Sequence, residues 1–126
     1  MNIVGIGIDI CKVSRIASIL EKPYGKRFIS RVLHPCEIKN DLDYDFVASR
    51  WAAKEALVKA LGYRLLPFTH VRINYNTLGQ PIFLFTDTTE KLMSKYNTFL
   101  SISHEDQYTV AVVICLSIPS QTPPSI

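Results

Sequence analysis

Asp9, Glu55 and Lys59 are the residues of this chain whose types and spacing suit chemistry on a phosphate. Two carboxylates from separate elements offer the oxygen ligands that a hard divalent cation takes. An ammonium beside them neutralises charge on phosphoryl oxygens. Asp9 follows the apolar run at residues 3–8, which reads as a strand delivering the carboxylate at its exit. Glu55 and Lys59 stand i, i+4 in WAAKEALVKALG and so share one helix face with Trp51. Ala53, Leu57, Ala60 and Leu61 fall on the opposite face, the expected core stripe. A plainer reading exists. Such a Glu–Lys pair is commonly a solvated salt bridge of about 0.2–0.5 kcal/mol, and an Asp after a strand is commonly a turn residue or helix cap.

The elements that must hold these residues follow from periodicity. Residues 14–20 read as a helix that Pro23-Tyr-Gly25 breaks, and a short helix is expected at 26–33 before a turn at Pro35. Residues 44–61 form the main helix, with Gly62 as its C-cap. Strands at 71–75 and 82–85 flank turn chemistry at 76–81, a hairpin. A helix is expected at 88–96. Strands at 98–103 and 108–116 flank the polar turn His104-Glu-Asp-Gln107, a second hairpin. Such an order predicts a single α+β domain at 1–116, with a small, largely antiparallel sheet packed against helices. Residues 117–126, rich in Pro and Ser, read as a disordered tail.

Composition bounds the function. The 126 residues suffice for one core, and no apolar run approaches the roughly 20 residues of a membrane span. Cys11, Cys36 and Cys115 are odd in number, with no C-x-x-C pair, which points to a reducing compartment rather than a zinc site or disulfide scaffold. Gly5 and Gly7 do not make G-x-G-x-x-G, so no dinucleotide fold is expected. The net charge is +3, but the basic residues crowd together: Lys12, Arg15, Lys22, Lys26, Arg27 and Arg31 against the single acid Glu21. That stretch predicts an anionic partner or a solvated helix face. Only Tyr24 and Phe28 interleave with it, which argues against nucleic acid.

Four segments in order, GIGIDICKVSRI, RVLHPCE, FVASRWAAKEALVKALG and SISHEDQYTVAVVI, resemble the 4′-phosphopantetheinyl transferases of the holo-(acyl-carrier-protein) synthase type. The turn Leu78-Gly-Gln-Pro81 resembles that family's Gly-Lys-Pro hairpin. The resemblance implies transfer of 4′-phosphopantetheine from coenzyme A to a serine of apo acyl carrier protein, with magnesium, releasing 3′,5′-ADP. It implies Asp9 and Glu55 as metal ligands and Glu55 and Lys59 as catalytic groups. Glu55, through a metal-bound water, is the expected acceptor of the serine proton. Lys59, His104, Ser103 and Arg50 are the expected coenzyme A contacts; Arg50 and Lys54, flanking the helix face, could both meet phosphates but are explained about as well by helix solvation. Arg15, Lys22 and Arg27 are expected to meet the acidic carrier protein. A homotrimer with active sites between chains is also implied; the alternation in residues 108–116 fits an intersubunit surface or an ordinary central strand. Trp51 reads as a helix-anchoring hydrophobe.

Departures from the family pattern are Tyr63-Arg-Leu-Leu66, where relatives carry a second glycine, and Gln80 in place of the hairpin lysine. Two rival functions stand: a magnesium-dependent coenzyme A pyrophosphatase using the same trio on water, and a non-catalytic basic module binding an acidic protein. For location, the reducing mitochondrial matrix is expected over the bacterial cytoplasm.

Overall fold

The computed structural model describes residues 1–119. Five strands and four helices run in the order β1 (Ile3–Lys12), α1 (Val13–Leu20), α2 (Gly25–Val32), α3 (Tyr44–Ala60), β2 (Val71–Tyr75), β3 (Pro81–Phe85), α4 (Asp87–Met93), β4 (Tyr96–Glu105) and β5 (Tyr108–Ser117). Two antiparallel sheets result: β1-β5-β4, with β5 central, and the hairpin β2-β3. The expected α+β class and nearly every element are present. The helix expected at 88–96 ends at Met93, and Tyr96 opens β4 instead. Other boundaries also move. β1 continues past Asp9 to Lys12, so Asp9 lies within the strand rather than at its exit. The β4–β5 turn is only Asp106-Gln107, so His104 belongs to β4. Ser117 closes β5 and donates its backbone N–H to Asn2 O, one residue into the span expected as tail; residues 120–126 lie outside the described residues.

α3 is the axis of the molecule. Asp43 caps it, its Oδ1 accepting from the N–H groups of Asp45 (2.7 Å) and Phe46 (3.2 Å). At its far end Gly62 takes φ 71° and Tyr63 φ 66°, and the Tyr63 N–H donates to Val58 O at 2.8 Å. Between these caps the helix is buried on nearly all sides, mostly through Ala48, Ala52, Ala53, Ala56 and Ala60. From Val47 to Ala60 only the stripe Trp51, Glu55, Lys59 stays part-exposed, the face expected from the sequence.

β1 meets α3 backbone to backbone. A Cβ at Gly7 would stand 1.9 Å from Ala56 O, and one at Gly5 2.3 Å from Ala60 O. Alternation then puts residues 5, 7, 9 and 11 against the helix and Ile6, Ile8 and Ile10 on the outer face, 66%, 59% and 61% exposed.

A buried ionic knot fixes the other side of α3. Lys54, expected near solvent, is 0% exposed, and this is a correction. Its Nζ donates to Val32 O (2.7 Å), Glu37 Oε1 (2.8 Å) and Phe68 O (3.1 Å). Glu37 also accepts from the His34 and Ile73 N–H groups, both at 3.0 Å. Each ammonium proton has an acceptor, so the charge is tolerated without water.

Gly7→Ala is expected to destabilise the fold by about 3 kcal/mol or more, the upper end for overpacking, because its Cβ meets main chain rather than a mobile side chain. Urea unfolding measures this. An unchanged midpoint would mean that β1 separates freely from α3.

Candidate active site

The β1–α3 contact carries Asp9 to the helix stripe that holds Glu55 and Lys59. Lys59 Nζ donates to Ile8 O at 2.9 Å and to Asp9 Oδ1 at 3.2 Å. The ammonium thus pairs with the strand carboxylate across the two elements, not with its helix neighbour Glu55 as a simple i, i+4 bridge requires. Burial raises the proton affinity of Glu55, and the Asp9 charge raises it further, against the lowering pull of Lys59 and then Arg15. Asp9, Glu55, Lys59 and the Arg15 guanidinium on α1 therefore share one electrostatic neighbourhood. Asp9 and Lys59 are partly exposed, with side-chain exposures of 16% and 34%.

The donor set fits a hard divalent cation. The Asp9 charge raises the proton affinity of Glu55, a like-charge conflict that a cation held by both would relieve. Among the described residues no group of three or more His, Cys, Asp or Glu assembles, so the protein offers part of a shell and leaves room for ligand oxygens and water.

Arg50 lies elsewhere. Five residues before Glu55 on α3, it points roughly 140° away around the helix axis. It is buried, its guanidinium 4.0 Å above the Phe46 ring, with Nη1 donating to Ser49 Oγ at 3.1 Å and Tyr75 OH at 3.5 Å. It lines a cavity of about 420 Å³ with His104, Tyr75, Asp43, Asp45 and Thr109. His104 reaches this cavity from the inner side of β4. Ser103, the preceding residue, alternates toward the outer face, yet it lines a second cavity of about 500 Å³ together with His104, Ile10 and Tyr108. Gln80 fills the place of the hairpin lysine structurally, its Oε1 accepting from Asn76 Nδ2 at 2.9 Å.

The basic residues Arg15, Lys22 and Arg27 are exposed along α1, the following turn and α2. Arg27 and Arg31 rim an apolar groove lined by Tyr24, Phe28, Trp51 and Phe68. Trp51 anchors that groove, 5.6 Å from the Phe28 ring and 5.9 Å from that of Phe68. Sequence reasoning missed the groove's Phe68 and the cavity's Thr109, Ser49 and Tyr75. For Thr109 a signal existed: a hydroxyl at an inward position of an apolar strand.

A strand and helix presenting two carboxylates and a lysine, beside a separate cavity that holds Arg50 and His104, suit a phosphoryl-group transferase. A family model for the 4′-phosphopantetheinyl transferase superfamily matches residues 5–113, and the chain belongs to that family. It is 39% identical over 127 residues to the holo-[acyl-carrier-protein] synthase of Pelagibacter ubique, covering 90% of this chain and 97% of the relative. The crystal structure of holo-[acyl-carrier-protein] synthase from Neisseria meningitidis superposes with a TM-score of 0.84 at 30% identity, covering 92% of this chain and 100% of that one. A holo-(acyl-carrier-protein) synthase from Bacillus anthracis, in complex with CoA (3′,5′-ADP), gives 0.73 at 33% identity, covering 91% and 97%. Within the family the chain stands with the holo-[acyl-carrier-protein] synthases, which sets aside the reading as a non-catalytic module.

Because the fold raises the proton affinity of Glu55, its ionised form weakens the fold. This contribution is absent below the ordinary carboxylate range and grows as pH rises through the raised value. Glu55→Gln is expected to raise the melting temperature of the metal-free protein at mildly alkaline pH and to leave it unchanged in acid. A melting temperature lowered at both pH values would contradict this account.

Proposed function

We propose that the chain transfers 4′-phosphopantetheine from coenzyme A to a serine of an acidic acyl carrier protein, with 3′,5′-ADP as leaving group. The observation that carries this reading is the junction of Asp9, Glu55 and Lys59 across β1 and α3. The serine oxygen attacks the β-phosphorus of coenzyme A, and the bond from that phosphorus to the bridging oxygen breaks. The serine proton passes to a Glu55 carboxylate oxygen. Lys59 Nζ, held by Ile8 O and Asp9, has a third proton for a phosphoryl oxygen and neutralises charge on the leaving side. Asp9 and Glu55 would hold magnesium, which when bound offsets the pyrophosphate charge. The rest is positioning.

Carrier recognition falls to α1 and α2. Arg15, Lys22 and Arg27 offer positive charge along the approach to Glu55, and the Trp51–Phe28–Phe68 groove beside Arg27 and Arg31 takes apolar side chains from the acidic partner. Charge complementarity of this kind mainly sets encounter rate and orientation.

One coenzyme A molecule is read as touching two copies. Within a chain, the Glu55 cluster and the Arg50 cavity look away from each other around α3. The outer face of the β1-β5-β4 sheet meanwhile leaves Ile6, Ile8, Ile10, Phe99 and Ile114 exposed. Such a face needs a cover, and a neighbouring copy supplies it while bringing its own Arg50 cavity toward Asp9. A closed homotrimer is the proposed assembly. Three free cysteines, two of them buried, support a reducing compartment, proposed as the mitochondrial matrix.

The deciding experiment is intact-mass spectrometry of apo acyl carrier protein incubated with this protein, coenzyme A and magnesium. A gain of one phosphopantetheinyl group on a serine, abolished by Glu55→Ala, is the expected result. Coenzyme A consumed with no mass gain on any carrier would favour a pyrophosphatase instead. Arg27→Glu is expected to raise KM for the carrier protein at least tenfold, about 1.4 kcal/mol, while KM for coenzyme A stays within twofold. Arg27 is the cleaner choice because the charge of Arg15 also reaches Glu55.

A further inference from the structure

Thr109 is 2% exposed, and its Oγ1 is one of two buried side-chain polar atoms without a hydrogen-bond partner among the described residues. The other, Arg50 Nε, sits 3.7 Å from Glu37 Oε2 and has a charge partner; Thr109 has neither. A buried hydroxyl left unpaired is costly, and valine would fill the same space on a strand without that cost. The hydroxyl therefore calls for a partner that arrives with a ligand.

Its surroundings define that ligand. Thr109 lies on the inner face of β5, opposite His104 of β4, and lines the cavity of about 420 Å³ that also holds Arg50. The Arg50 guanidinium is fixed from behind by Phe46 and from the side by Ser49 and Tyr75. A hydroxyl, a guanidinium and an imidazole at the cavity mouth form a donor set for a tetrahedral oxyanion. Asp43 and Asp45 line the same cavity and would repel a bare anion, but they accept from hydroxyl or amino groups. Donors and acceptors lining one cavity of this size match a nucleoside carrying a phosphomonoester.

We propose that Thr109 Oγ1 donates to the 3′-phosphate of coenzyme A and is a specificity residue separating coenzyme A from dephospho-coenzyme A. This assignment rests on the coenzyme A reading above. It extends recognition to a side chain that no motif of the sequence singled out.

Thr109→Val, Thr109→Ser and the wild-type protein, titrated calorimetrically with coenzyme A and with dephospho-coenzyme A, test it. Thr109→Val is expected to melt at the wild-type temperature or above, because it removes the unpaired hydroxyl. Its Kd for coenzyme A should rise roughly fivefold or more while Kd for dephospho-coenzyme A stays put. Thr109→Ser, keeping the hydroxyl, should retain the wild-type preference. An unchanged preference in Thr109→Val would overturn the assignment, as would equal weakening toward both nucleotides. Should Thr109→Val not fold, a Thr109→Ser variant that lost the preference would overturn it too. A wild-type protein that bound neither nucleotide would overturn the coenzyme A reading itself, and this assignment with it.

Discussion

β1 lies on α3 main chain to main chain, with nothing larger than a glycine hydrogen between Gly7 and Ala56 O. That contact decides where the chemistry happens. Two residues along the same strand face comes Asp9. On the helix, Glu55 precedes the contacted Ala56, and Lys59 precedes the contacted Ala60. With the backbones this close, a lysine side chain has length enough to reach both Ile8 O and the Asp9 carboxylate. A larger residue at position 5 or 7 would push the strand outward and stretch that bridge. The alanines of α3 serve the same end, since small side chains let every neighbour approach the helix axis.

The opposite flank of α3 is secured by charge. Lys54 and Glu37 are costly to bury singly, and together they are tolerated only because the surrounding carbonyls and amides complete their hydrogen bonds. Burial still lowers the proton affinity of Lys54, against the opposing pull of Glu37. Through those partners the pair ties α2, the Pro35–Glu37 turn, α3, the Phe68–His70 turn and β2 to one point. The apolar groove of Trp51, Phe28 and Phe68 lies on one side of this knot, and Arg50 with its cavity on the other. The network thereby sets the spacing of the groove and the cavity.

Much of this was legible in the sequence, for definite reasons. Periodicity located the strands and helices because each has a buried face. The Trp51–Glu55–Lys59 stripe was found because i+4 spacing is geometry rather than propensity. Lys54 was not legible. A helix packed on all sides has no polar face, so a helical wheel assigns a buried lysine to solvent by its letter alone. His104 was expected in a four-residue turn; with only Asp106 and Gln107 turning, it joins Ser103 in the strand, and alternation turns its side chain toward the inner face. Asp106 makes the short turn feasible by taking φ 54°, a conformation Asp tolerates better than most residues.

The division of the site follows from the same helix. α3 carries Arg50 on one side and Glu55 on another, and a rigid helix cannot turn both toward one extended substrate. A second copy relieves the conflict if its cavity arrives where the first copy's carboxylates emerge. The inner face of β1 builds the site through Gly5, Gly7 and Asp9, and its outer face leaves Ile6, Ile8 and Ile10 exposed. An interface joining one copy's outer face to a different surface of the next is heterologous, and such contacts close into rings when the rotation permits. On this account the alternation of a single strand couples assembly to catalysis. The residues that position Asp9 and those that call for a partner are interleaved one by one, so neither set can shift register without the other.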